Sequence, residues 1–201
     1  WRSEQLYVTG VRVTRAQTPN RGFYTPVSVK ETVVVKGEGR APELAVQQIK
    51  IPVGAANWIK DISEEDLKDA VITFYHHWDN TKKPAQFYNA ADTSLYISGE
   101  GMKPWNPVTT RSLFAIENLQ SALDAPGEWF LERSGTLYYR PQPGETIETT
   151  TAMAPLLDKF VTISGDAKTG KKVSNIRFEN ITFRVAGYRM PPSGVEPAQS
   201  A

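Results

Sequence analysis

The chain has 201 residues, 40% hydrophobic, 22% charged and 10% aromatic, a composition that builds a folded core and excludes a low-complexity or highly charged disordered chain. Its 23 basic and 22 acidic residues leave a net charge of +1, so no field gathers phosphate backbones or anionic lipid, which argues against nucleic acid as a partner. Zero cysteines exclude disulfides, thiolate nucleophiles and cysteine-held metals. No stretch approaches the ~20 apolar residues of a membrane span.

The chain starts at Trp1 without a basic-then-apolar leader, and it is read as a piece of a longer protein. Residues 5–15 alternate apolar and polar side chains around Thr9-Gly10, which predicts a hairpin. Thr18-Pro-Asn-Arg-Gly22 is turn chemistry; Val27, Val29, Val33 and Val35 then predict β-structure, ended by Gly37, Gly39 and Pro42. Ser63 before Glu64-Glu-Asp66 can accept the Asp66 N–H, so one short helix is expected over residues 64–69. Directly after it, residues 71–78 place bulky side chains on both faces of a strand, which predicts burial on both sides.

Further strands are expected at 86–88, 94–98 and 112–117, followed by a helical turn in 119–125 that Pro126-Gly127 stops. Glu128-Trp-Phe-Leu-Glu132 and Thr136-Leu-Tyr-Tyr-Arg140 flank Arg133-Ser-Gly135 as an aromatic hairpin. About ten short β-segments with few helices predict an all-β fold, a β-sandwich or partly open barrel over residues 1–150.

Residues 151–190 follow another rule. Ile176, Phe178, Ile181 and Phe183 alternate in pairs but shift phase at Glu179-Asn180, so keeping all four inward needs a corner, and Asn tolerates the left-handed conformation a corner requires. Two short strands joined by such a corner make one rung of a parallel β-solenoid, with residues 160–165 as the neighbouring rung and 166–172 as a polar loop. Fewer than three rungs rarely stand alone, so the rungs should rest on the β-domain or continue in further sequence. Residues 191–201 read as a polar, Pro-containing tail.

The segments 124–145, Ala154-Pro-Leu-Leu157 and Val173-Ser-Asn-Ile-Arg-Phe-Glu-Asn-Ile-Thr-Phe183 resemble right-handed parallel β-helix proteins related to glycoside hydrolase family 141. The entry Leu6-Tyr-Val-Thr-Gly-Val-Arg-Val-Thr-Arg15 is similar to the start of that family's inserted β-domain, with Thr9 where Asn is usual. The resemblance implies an insertion domain followed by the first rungs of a β-helix, in an exported bacterial protein, extracellular or periplasmic, that acts on polysaccharide. It also implies that the catalytic acids lie on later coils, so no catalytic residue is assigned here.

Gly165-Asp-Ala-Lys-Thr-Gly-Lys-Lys172 nearly spells a phosphate loop, but Lys172 stands where Ser or Thr would hold magnesium and a strand follows, so it is read as a solvated loop. His76 and His77 are the only histidines, and as strand neighbours they would face opposite ways, which speaks against a shared metal. His77 and Trp78 are carried as candidate saccharide contacts, as is Trp105, set between prolines in Met102-Lys-Pro-Trp-Asn-Pro107. Glycosidases need two carboxyl groups roughly 5 to 9.5 Å apart. Sequence offers no such pair: Glu64, Glu65 and Asp66 are explained by helix capping, and Asp124, Glu128 and Glu132 by the hairpin. No cofactor or metal is expected.

The expected role is a non-catalytic accessory domain that shapes a polysaccharide cleft in a larger carbohydrate-active protein. The alternatives are a stand-alone glycan- or protein-binding adhesion module, or part of a polysaccharide lyase.

Overall fold

The computed structural model describes residues 3–76 and 78–196. Twelve strands form two sheets. In the first sheet, β1 (Leu6–Val8) and β2 (Val11–Arg15) make the expected hairpin, with Leu6 opposite Val13 and Val8 opposite Val11. Thr9 and Gly10 both carry positive φ, 50° and 78°, the pairing that lets a two-residue turn follow the right-handed twist of its strands.

After buried Ala16 the chain crosses into the second sheet as β3 (Gln17–Thr18), so one continuous segment stitches the two sheets together. That sheet is a curled half-barrel of seven strands. Its members are β3, β4 (Ser28–Val35), β5 (Leu44–Lys50), β6 (Val71–Tyr75), β7 (Asn80–Asn89), β8 (Ser94–Gly99) and β9 (Leu113–Glu117), in the order β3-β9-β6-β7-β8-β5-β4. β6 lies between β9 and β7 and is buried on both faces, as its sequence predicts.

The hydrophobic core joins Ile72, Phe74, Phe114 and Ile116 of the central strands to Ile49, Leu95 and Ile97 and to two short helices. One is α2 (Glu64–Leu67), where Ser63 Oγ accepts the Asp66 N–H at 3.0 Å and three carboxylates sit in the first turn, as expected. The other, α1 (Val53–Ile59), departs from the single helix expected. It starts after Pro52 without a side-chain cap, and its local signals, Val53 and Gly54, are poor helix formers. Burial of Ala55, Ala56 and Ile59 against the sheet stabilises it instead.

The aromatic hairpin also forms, as β10 (Glu128–Leu131) and β11 (Leu137–Tyr139), with Trp129 opposite Tyr139. β10 then pairs parallel to β2, so the sheet order is β11-β10-β2-β1-β12, where β12 is Ala152–Met153. Leu6, Val8 and Trp129 make its small separate core.

The parallel ladder expected over residues 151–190 is not shown: beyond β12, the described residues of this stretch hold only an antiparallel bridge between Asp166 and Lys171. The corner is nevertheless present, with Asn180 at φ 56°. Phe160 and Phe183 stack with centroids 5.8 Å apart, while Ile176, Phe178, Ile181 and Phe183 stay exposed. Two such segments bury too little apolar surface to hold a ladder by themselves. The tail is fastened at intervals: Arg184 Nη2 donates to Gly10 O at 3.0 Å, and Val195 exchanges two backbone hydrogen bonds with Lys82 of β7.

Candidate functional site

β6 ends at Tyr75, three residues sooner than the sequence suggests, because His76 N donates to Asp79 O at 3.0 Å and closes a turn into β7. Trp78 therefore stands on a turn and not on a strand face, and it is 70% exposed. His77, the candidate beside it, lies outside the described residues.

Trp105 sits on the loop between β8 and β9, 44% exposed, with the Arg40 guanidinium 5.8 Å from its ring centroid. That loop is firmly held. Met102 N donates to Glu31 Oε2 at 2.7 Å, Gly101 N donates to Pro42 O, and buried Asn106 donates through Nδ2 to Asp79 Oδ1 at 2.7 Å. The last bond joins the two Trp-bearing segments, so the fold brings together two residues that lie 27 positions apart in the chain.

Residues next to both segments in the chain, His76 and Lys103, join a largely buried polar network. Thr81 Oγ1 donates to Glu196 Oε1 at 3.0 Å, which leaves its oxygen to accept from His76 Nε2 at 2.9 Å. Lys83 Nζ reaches Glu100 O at 3.2 Å and Glu196 Oε2 at 3.9 Å, and Lys103 Nζ donates to Glu196 O at 3.2 Å. Burial pushes the Glu196 carboxyl up and holds the Lys83 ammonium below the usual lysine range. Each charge offsets part of the other's desolvation, and the network clips residues 195–196 beside β7. Sequence reasoning missed these partners because Glu196 meets Thr81 across 115 positions; the consecutive lysines 82 and 83 inside a strand pattern were the one available signal.

The carboxylates set aside from catalysis are engaged structurally. Glu128 is buried, accepts the Asp124 and Ala125 N–H groups through Oε2, and has its pKa pushed up by burial. Glu65 and Asp69 grip Arg133, and Asn20 donates to Asp124. In the phosphate-loop lookalike, Asp166 Oδ1 takes the Lys168 and Thr169 amides, the donors a phosphate would need. Among the described residues no cluster of three or more His, Asp or Glu is arranged to hold a metal, and no helix is long and apolar enough to cross a membrane. What the paired loops offer chemically is two exposed indoles on a braced base.

No family model matches the sequence, and no curated protein matches it. Among solved structures, one described as a glycoside hydrolase aligns with a TM-score of 0.70 at 23% identity, covering 98% of this chain and 33% of that one. The chain thus shares the fold of about a third of that protein's length.

Proposed function

We propose that this chain is a non-catalytic accessory part of a glycoside hydrolase-like protein, and that it contributes a saccharide-contacting wall to that protein's substrate cleft. The observation that carries the reading is the Asp79–Asn106 hydrogen bond, which holds Trp78 and Trp105 on neighbouring braced loops. Pyranose rings present C–H faces that pack on indole, and Arg40 beside Trp105 supplies a polar partner.

The solved glycoside hydrolase that shares the fold is about three times as long, which leaves room for catalytic carboxylates outside these 201 residues. We further propose that residues 159–184 lie within a right-handed parallel β-helix of the kind found in proteins related to glycoside hydrolase family 141, in an exported bacterial parent. The left-handed corner at Asn180, the Phe160–Phe183 stack and the exposed apolar side chains at 176, 178, 181 and 183 support this, since further coils would cover them.

The test is a pull-down on insoluble plant and bacterial polysaccharides by the wild-type chain and the Trp78→Ala/Trp105→Ala variant. Retention of the wild type on at least one glycan, lost in the double variant, is the expected result. Equal behaviour of the two proteins on every glycan would overturn it.

A further inference from the structure

A recess lies away from the two tryptophans, where the first sheet faces the half-barrel. It encloses about 300 Å³, at the lower end of the roughly 300–1,000 Å³ of small-ligand sites. β2, β10 and the Glu4–Gln5 segment line one side; Val71, Lys82 and Glu117 line the other; Tyr188 and Met190 of the tail close an edge.

Two of its carboxylates are already matched. Arg15 Nη1 meets Glu4 Oε2 at 3.0 Å, and Lys82 Nζ meets Glu117 Oε1 at 3.0 Å, an oxygen that also accepts from Thr73 at 2.6 Å. The remaining cation, Arg12, is exposed at the rim and has no ion-pair partner among the described residues, so the lining carries one surplus positive charge.

The same lining holds three buried polar atoms that have no hydrogen-bond partner: the Trp129 indole N–H, Arg15 Nε and Gln5 Oε1. Trp129 is 1% exposed, and leaving a buried donor without a partner is costly, so these groups are expected to find partners. Two are donors and one is an acceptor. The Arg15 guanidinium rests 5.1 Å from the Trp129 ring centroid, held there by Glu4 and by Nη2 donating to Ser3 O at 2.9 Å.

From this geometry we propose that the recess binds a carboxylated saccharide unit. Its carboxylate pairs with Arg12, and its hydroxyls accept from Trp129 Nε1 and Arg15 Nε while donating to Gln5 Oε1. A hydroxyl group both donates and accepts at one atom, and a uronic acid carries several beside a carboxylate. The inference rests on the carbohydrate reading above for its ligand class, but it uses a different face of the molecule.

Calorimetric titration separates the two. The probes are trigalacturonate, free glucuronate, neutral cellotriose and tetraglutamate, against wild type, Arg12→Gln, Gln5→Leu and Trp78→Ala/Trp105→Ala. Expected is saturable binding of trigalacturonate or glucuronate at least tenfold tighter than cellotriose. It should weaken at least tenfold in Arg12→Gln, whose exposed position leaves folding intact, and in Gln5→Leu, and persist in the double Trp variant. Preference for the trimer assigns a polymer, and equal binding of glucuronate assigns a free sugar acid. Absence of saturable binding of either acid, binding undiminished in Arg12→Gln, loss confined to the double Trp variant, or equally tight tetraglutamate would overturn the proposal. Loss confined to the Trp variant would leave the accessory reading standing.

Discussion

Asn106 and Asp79 are joined by a 2.7 Å hydrogen bond, and through it a loop from one side of β8 and a turn at the end of β6 become one surface. Asn106 is buried, so Asn106→Ala removes the charge-assisted bond that ties the two segments to each other, while the Met102–Glu31 and His76–Asp79 bonds stay. The expected loss is about 1–2 kcal/mol in urea unfolding, together with weakened polysaccharide retention although both tryptophans remain. Unchanged retention would mean that the bond does not organise the surface.

Glu128 offers a pH prediction. Burial raises its pKa, so the folded state holds its proton more tightly than the unfolded one. Its contribution is therefore complete below the ordinary glutamate range and is lost as pH rises through the raised value. The stability of wild type relative to Glu128→Gln should fall as pH is taken from about 4 to neutrality. Chemical denaturation across that range checks the sign, and a rising difference would refute it. Glu128→Ala, which strips the acceptor from the Asp124 and Ala125 amides, is expected to cost about 2–4 kcal/mol near pH 4 and, by the same linkage, less at neutrality.

Protection against hydrogen exchange should divide sharply. Ile72, Phe74, Phe114 and Ile116 lie in doubly paired strands with fully buried side chains, so their amides are expected to exchange only on global unfolding. Residues 173–184 lack strand partners and expose their apolar side chains, so their amides should exchange quickly. In a longer parent with further coils, the same amides should become protected. Protection of Phe178 and Ile181 matching that of Phe74 in this chain alone would contradict the account.

The local features were legible because each rests on neighbours in sequence. The Thr9-Gly10 hairpin, the Ser63 cap, the doubly buried β6 and the aromatic hairpin around Gly135 all follow from turn chemistry or alternation within a few residues. α1 was missed because tertiary burial, not capping, holds it, and β5 because its residues 44–50 mix glutamines with aliphatics. The division into two sheets linked at Ala16, and the parallel pairing of β10 with β2, depend on contacts over a hundred residues apart. Of the site, the sequence singled out Trp105 through its proline-flanked loop and Trp78 through its place beside the only two histidines, but it placed Trp78 on a strand and held no sign of the bond that unites the two loops. Local alternation does not encode which loops meet.

The most direct test measures reducing-end release on a glycan that the 201-residue chain retains. The account predicts saturable retention, abolished by Trp78→Ala/Trp105→Ala with stability changed by no more than about 1 kcal/mol, and no bond cleavage above the uncatalysed background. Turnover by the wild-type chain, surviving removal of both indoles, would contradict it.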